Sequence, residues 1–185
     1  MGLLPVTVID SDHFPPEGLM LRPATDADKE NVRIWRNHPK IRVASLIRDE
    51  ISLTQHDAYW QSLQGNPTRK VFIYECDGLA AGVVTFFDID DEQRSAMWGY
   101  YLDNQNLEAN GELLPAWIKI QREAMKFAFD ELHLDTLNGK VLDTNEAVRR
   151  MNTRNGFEEI ATDERIIDGK PTVVHTIRRR RQPND

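Results

Sequence analysis

The period of the apolar positions changes several times along this chain, and each change marks an expected element. Residues 20–24 (MLRPA) read as a short strand, and Thr25 followed by Asp28 has the form of a capping box opening a helix that runs toward Trp35. The pair His38-Pro39 is expected to stop that helix, because a residue before proline is driven out of the helical region. A second helix is expected from Ser52, with Gln55 in the capping-box position, Ala58, Trp60 and Leu63 turned inward, and an end at Gly65-Asn66-Pro67.

The middle of the chain switches to strand patterns. Residues 71–76 (VFIYEC) meet 80–89 (AAGVVTFFDI) across Asp77-Gly78, a strong hairpin signal, and the polar run 90–93 turns the chain into 95–102 (SAMWGYYL). These three strands are expected to be antiparallel neighbours. A polar loop, 106–114 (NLEANGELL), then leads into a long helix marked by Leu113, Trp117, Ile120, Ala124, Phe127 and Glu131 or Leu132, with Pro115 tolerated in the first turn. Residues 134–142 read as a strand, Asp143 or Thr144 caps a helix that closes at Asn155-Gly156, and strands 157–167 and 171–179 are joined at Asp168-Gly169. A hairpin series followed by a strand–helix–strand crossover predicts an α/β fold with a mixed, mostly antiparallel sheet of about seven strands flanked by about four helices.

Composition narrows this to one core. In a chain of 185 residues, 40% hydrophobic content is enough for one sizeable core and short for two, so one domain is expected over 19–179. An extension over 1–18, with Pro5, Pro15 and Pro16, and a tail over 180–185 flank it. The single cysteine, Cys76, excludes an intramolecular disulfide and is expected to be a buried structural thiol. No apolar run approaches the roughly 20 residues that span a bilayer, and the N-terminus lacks a signal-peptide pattern, so a soluble, cytoplasmic protein without a membrane partner is expected. A formal charge of −7 argues against nucleic acid as a partner. The run Arg178 to Arg181 is read as a solvated strand end. His133 and His175 have no partner at ligand spacing, so no metal is expected.

The loop 106–114 carries the chemistry. Backbone N–H groups at a helix N-terminus can hold a phosphate, although only Gly111 supplies a small residue with free φ here. The strand order, with this loop between a Trp/Tyr-rich strand and a long helix, resembles the GNAT acyltransferase fold, whose loop of pattern Q/R-x-x-G-x-G/A wraps the pyrophosphate of acetyl-CoA. The matching stretch runs from Asn106 through Ala109 to Gly111. The segments WRNHP (35–39), ISLTQH (51–56), GVVTF (82–86), LEANGELL (107–114) and FAFDELHL (127–134) together resemble the nucleotide-sugar N-acetyltransferases of pseudaminic acid biosynthesis, some of which carry a loop of the form L-x-N-G-G-E.

The resemblance implies acetyl-CoA as cofactor and a nucleotide-linked aminosugar as acceptor. It implies cofactor contacts at Gly99, Tyr100, Tyr101 and Leu102, at the loop residues Leu107, Ala109, Asn110, Gly111, Glu112 and Leu113, and at Asn145, which otherwise is a helix-start residue. Glu108 and Glu112 would have to point away from the phosphates. Arg36 and His56 match positions associated with the sugar-nucleotide diphosphate, with Arg42 and Arg48 nearby; otherwise they are a surface ion-pair residue and a solvent-facing helix residue. Thr85, Asp88 and Trp98 are further substrate-contact candidates, and Glu75 or Asp88 could relay a proton through water. At Phe87 and Asp88 some relatives carry a hydroxyl and a lysine instead. In the segment 145–157 (NEAVRRMNTRNGF), Asn152 stands where the family has the tyrosine that protonates the thiolate; an amide donates a hydrogen bond and gives up no proton. Two other readings stay open: an N-acetyltransferase of protein N-termini or another amine, and a non-catalytic acyl-CoA-binding module. Pairing through the last strands would make a homodimer.

Overall fold

The computed structural model describes residues 20–183, so the extension expected over 1–18 lies outside the described residues. One seven-stranded sheet organises the chain: β1 (Leu21–Pro23), β2 (Arg69–Cys76), β3 (Leu79–Asp90), β4 (Ser95–Leu102), β5 (Thr136–Leu142), β6 (Glu158–Ile167) and β7 (Lys170–Arg180), in the order β1-β2-β3-β4-β5-β7-β6. All neighbours are antiparallel except β4 and β5. This is the expected mixed sheet. Both hairpin dipeptides adopt the left-handed turn that Asp-Gly favours, with φ of 51° and 78° at Asp77-Gly78 and 50° and 73° at Asp168-Gly169.

Six α-helices accompany the sheet: α1 (Lys29–Asn37), α2 (Pro39–Val43), α3 (Leu53–Ser62), α4 (Asn104–Ala109), α5 (Leu113–Lys126) and α6 (Glu146–Arg154). The two extra helices correct the sequence reading. His38 leaves the helical region as proline demands, but Pro39 then takes the first position of α2, where its missing N–H costs nothing. Most of the expected loop before α5 is helical, because the Asp103 carboxylate accepts the Asn106 N–H at 3.2 Å and nucleates α4. Both expected capping boxes form, at Thr25/Asp28 and Ser52/Gln55. On α3, however, Ala58 faces outward and His56 joins Trp60 and Leu63 inside.

The helices divide between the two sheet faces. On one face, Ile120, Ala124 and Phe127 pack on Phe72, Val84, Phe86 and Leu137, with α6 alongside; this is the α5 face. On the other, the α1 face, Val32, Trp35, Trp60 and Leu63 cover Val71, Ile73 and Val83, and Leu46 of the following connection packs on Leu142, Ile167 and Val174. After α5 the backbone widens into a π-helical turn over Phe127–Glu131, where the Leu132 N–H donates to the Phe127 carbonyl at 3.0 Å. Cys76 is half-buried rather than buried. Of the terminal arginines, two are held against the fold, where Arg178 Nε donates to Asn138 at 2.9 Å and Arg179 lies over the Phe129 ring, while Arg180 and Arg181 are exposed as expected, Arg181 facing Asp130. No helix among the described residues is long and apolar enough to cross a membrane.

Arg22 fastens the sheet edge to the first turn. Its guanidinium forks onto both Asp28 oxygens at 2.7 and 2.8 Å and reaches Glu75 at 2.6 Å. Burial alone would raise the Asp28 pKa, but hydrogen bonds from Arg22 and from the Thr25 N–H and hydroxyl outweigh it and hold it below the usual range. A lowered folded pKa gives stability that is fully present above the unfolded value of about 3.9 and is lost as pH falls through the folded one. Asp28→Ala is expected to destabilise the protein by about 2–4 kcal/mol at pH 7. In urea melts the difference between variant and wild type should shrink as the pH drops below about 4.

Candidate active site

Strands β4 and β5 pair over only three residues, Ser95↔Thr136, Ala96↔Leu137 and Met97↔Asn138, and then separate. Trp98 accounts for the parting. Its ring is stacked between Tyr100 and Phe157, with centroids 5.2 and 5.6 Å away, and it lies against Gly139 of β5, where a Cβ would stand 3.3 Å from the indole nitrogen. Beyond this wedge opens a cleft of about 500 Å³, lined on one side by Trp98 to Leu102 and on the other by Gly139, Lys140 and Val141.

Backbone groups on the edge of the cleft are left without a strand partner. Leu102 stands opposite Gly82 and the Asp103 N–H donates to Ala81, so Gly99, Tyr101 and Asp103 direct their peptide groups to β3, while Tyr100 and Leu102 direct theirs into the opening. An N–H in such a place is a ready donor to a carbonyl or thioester oxygen. The side chains alternate too: Trp98 and Tyr100 lie on the α5 face, Gly99 and Tyr101 on the α1 face. The Tyr100 hydroxyl accepts from Trp117 Nε1 at 2.7 Å, and Tyr101 donates to the Val32 carbonyl at 3.2 Å. Burial pushes both phenols up, so both stay protonated at neutral pH.

At the mouth of the cleft the loop donors expected from Leu107 to Leu113 are largely occupied. The N–H groups of Asn110, Gly111 and Glu112 donate to Asn106, Glu108 and Leu107 within the turn. Gly111 at φ +72° closes α4, and Leu107 is buried. Since Pro115 has no N–H, Leu113 and Leu114 carry the free donors at the start of α5, and both line the cleft. Glu108 does point away: it is held by Lys40 of α2 at 2.6 and 2.8 Å. Asn145 is the N-cap of α6, makes no side-chain cap bond and lines the cleft.

Asn152 also lines the cleft, in an unexpected setting. It is 4% exposed, and its Oδ1 accepts from Gln121 Nε2 at 2.6 Å, while Gln121 Oε1 accepts from Asn155 Nδ2 at 2.7 Å. Gln121, fully buried on the apolar face of α5, was not singled out by sequence; a polar residue next to Ile120 on an inward helix face was the available signal.

Several candidates lie elsewhere. His56 is buried, and since a carbonyl can only accept, its Nε2–H donates to Lys29 O at 2.7 Å; burial lowers its pKa. Glu75 sits at the far sheet edge in its ion pair with Arg22. Asp88 is exposed in the β3–β4 bulge between the pairs Phe87↔Met97 and Asp90↔Ser95, at φ 50°, and Ala109 is exposed on α4. Arg36 donates to the Ile47 carbonyl at 2.7 Å, and its buried Nη1 has no partner among the described residues. Thr85 faces α1 opposite Gly99, beside Tyr59 and Arg69. His175 joins Asp143 at 2.8 Å in the cluster that ties α6 to β7.

Comparisons with known proteins bear on the family and the fold. The profile of the acetyltransferase (GNAT) domain matches residues 18–158. The chain is 25% identical over 142 residues, 75% of its length and 84% of the relative's, to acetyltransferase PseH of Campylobacter jejuni subsp. jejuni serotype O:23/36. To the PseH of serotype O:2 it is 28% identical over 123 residues, 66% of this chain and 72% of that one. Among solved structures, spermidine N-acetyltransferase from Vibrio cholerae in complex with CoA and spermine superposes with a TM-score of 0.75 at 18% identity, covering 86% of this chain and 94% of that one.

The turn before α5 yields a direct test. Gly111→Pro removes the N–H that donates to Glu108 and demands φ near −65° where the chain has +72°. Calorimetric titration with acetyl-CoA is expected to show at least a tenfold loss of affinity with the far-UV spectrum unchanged. Wild-type affinity would detach this turn from the phosphate site.

Proposed function

The chain belongs to the GNAT acetyltransferase family, and on that premise we propose that it carries the acetyl group of acetyl-CoA to the primary amine of an anionic, nucleotide-linked aminosugar. The cofactor half rests on the cleft. Its residues fit the group: Leu113 and Leu114 N–H at the positive end of α5 for the phosphates, Asn145 beside them, and the unpaired Tyr100 N–H for the thioester oxygen.

The acceptor half is carried by the charge on the α1 face. One row of paired residues crosses five strands there, Arg69, Phe87, Met97, Asn138 and Arg178. Neither terminal arginine has a carboxylate partner among the described residues. Arg69 lies over the rings of Phe87 and Tyr59, at 5.3 and 5.9 Å, and Arg178 is oriented by Asn138. The two Cα positions are about 19 Å apart at the usual strand spacing, so the long side chains can converge on a phosphate ligand lying above Met97 and Gly99. In the next row Thr85 pairs with Gly99, where a Cβ would meet no atom within 4 Å. Arg36, with its unpartnered Nη1, adds to the same charge. A polycationic acceptor such as spermidine would meet repulsion on this face, whereas a sugar diphosphate with an aromatic base finds arginines and a phenyl ring. The need for acetyl-CoA and a nucleotide sugar together supports a cytoplasmic site for the reaction.

Thiol release from acetyl-CoA, followed with a UDP-linked 4-amino sugar and with spermidine in parallel, is expected to favour the sugar. Arg69→Ala should raise the KM for the sugar about tenfold or more while sparing that for acetyl-CoA. Faster turnover of spermidine would sink the reading.

A further inference from the structure

Gln121 sets the direction in which Asn152 faces the reaction. The three amides form a directed chain: Asn155 Nδ2 donates to Gln121 Oε1, and Gln121 Nε2 donates to Asn152 Oδ1. The Asn152 oxygen is thus turned toward α5, and its Nδ2 has no partner among the described residues. Gln121 is fully buried, so water cannot replace either bond, and the amide of Asn152 cannot turn without leaving the Gln121 N–H facing another N–H.

We infer that Asn152 serves acetyl transfer as a fixed hydrogen-bond donor to the departing sulfur, and that Gln121 is the positioning residue that keeps its N–H, rather than its oxygen, turned into the cleft. This rests on the acetyltransferase reading and is independent of which amine is the acceptor. In the step itself the neutral amine nitrogen bonds to the thioester carbon and the C–S bond breaks, with its electron pair going to sulfur. The extra proton on the new amide nitrogen leaves to water, and the thiolate, held by the Asn152 N–H, later takes a proton from solvent. No side chain changes protonation state at Asn152, because an amide has no proton to give at accessible pH.

Gln121→Glu tests the direction. The introduced carboxylate, when ionised, still accepts from Asn155 but can only accept from Asn152, so the Asn152 amide must turn and present its oxygen to the sulfur. The expected result, by thiol release with whichever amine the wild type acetylates fastest, is a kcat lower by about 10- to 150-fold, with acetyl-CoA affinity by calorimetry within about twofold. As the pH is lowered, the ratio of variant to wild-type kcat should climb back, because the introduced carboxyl, once protonated, can again donate to Asn152 Oδ1. Asn152→Leu, close in shape, with neither a donor nor a titratable group, should show the same loss of kcat without that recovery. Wild-type kcat in Gln121→Glu, or a loss that is the same at every pH, would overturn the inference. So would a full loss in Tyr100→Phe with none in Asn152→Leu, which would move the donor to β4. Activity toward spermidine instead of the sugar would overturn the acceptor reading alone and leave this test intact.

Discussion

Everything functional in this fold depends on β4 and β5 parting after three pairs. A parallel pair that continued to Leu102 would satisfy the Tyr100 and Leu102 peptide groups internally and close the cleft between the strands. The Trp98 ring prevents this from the α5 face, and Gly139 tolerates it by having no side chain to oppose it. The exposed peptide groups are costly to leave unpaired in isolation, and the two packed faces on either side supply the stability that lets them persist. The same parting leaves the sheet open toward both of its faces at the level of Gly99 and Tyr100.

Much of this architecture was legible in the sequence because it is written locally. Asp77-Gly78 and Asp168-Gly169 name their hairpins, and Ser52/Gln55 names the start of α3, through bonds between residues three apart or fewer. The misreadings share the opposite property. Glu75 reads as a free carboxylate until Arg22, 53 residues earlier, is placed against it, and His56 reads as solvent-facing until α1 brings the Lys29 carbonyl over it. The short α4 lacks enough turns for apolar periodicity to show. Asn152 stood out only as a departure from the family tyrosine, and what it does instead depends on Gln121, on another helix 31 residues away.

Charge follows the same division. A net −7 would repel an anionic acceptor if it were spread evenly, yet Arg36, Arg69 and Arg178 on one face have no carboxylate partner among the described residues. Elsewhere several cations are paired locally: Lys140 with Asp163, Arg48 with Asp168, Lys40 with Glu108. Such a contrast focuses an anion onto one surface of an otherwise acidic molecule, which shapes encounter more than final affinity.

The π-helical turn at Phe127–Glu131 has a counting consequence. It absorbs one residue more than an α-helical turn would, between the helix that crosses the sheet and the strand that follows. If that residue were deleted and the turn became regular, residues 132–135 would have to absorb the change, or the chain would enter β5 one position out of step. In a strand, one position exchanges the two faces, so Asn138 and Lys140 would move into the apolar layer while Leu137 and Val141 turned toward the arginines. The pairings of β5 with β4 and β7 hold the step in place, and with it the division between side chains that belong to the core and those on the α1 face.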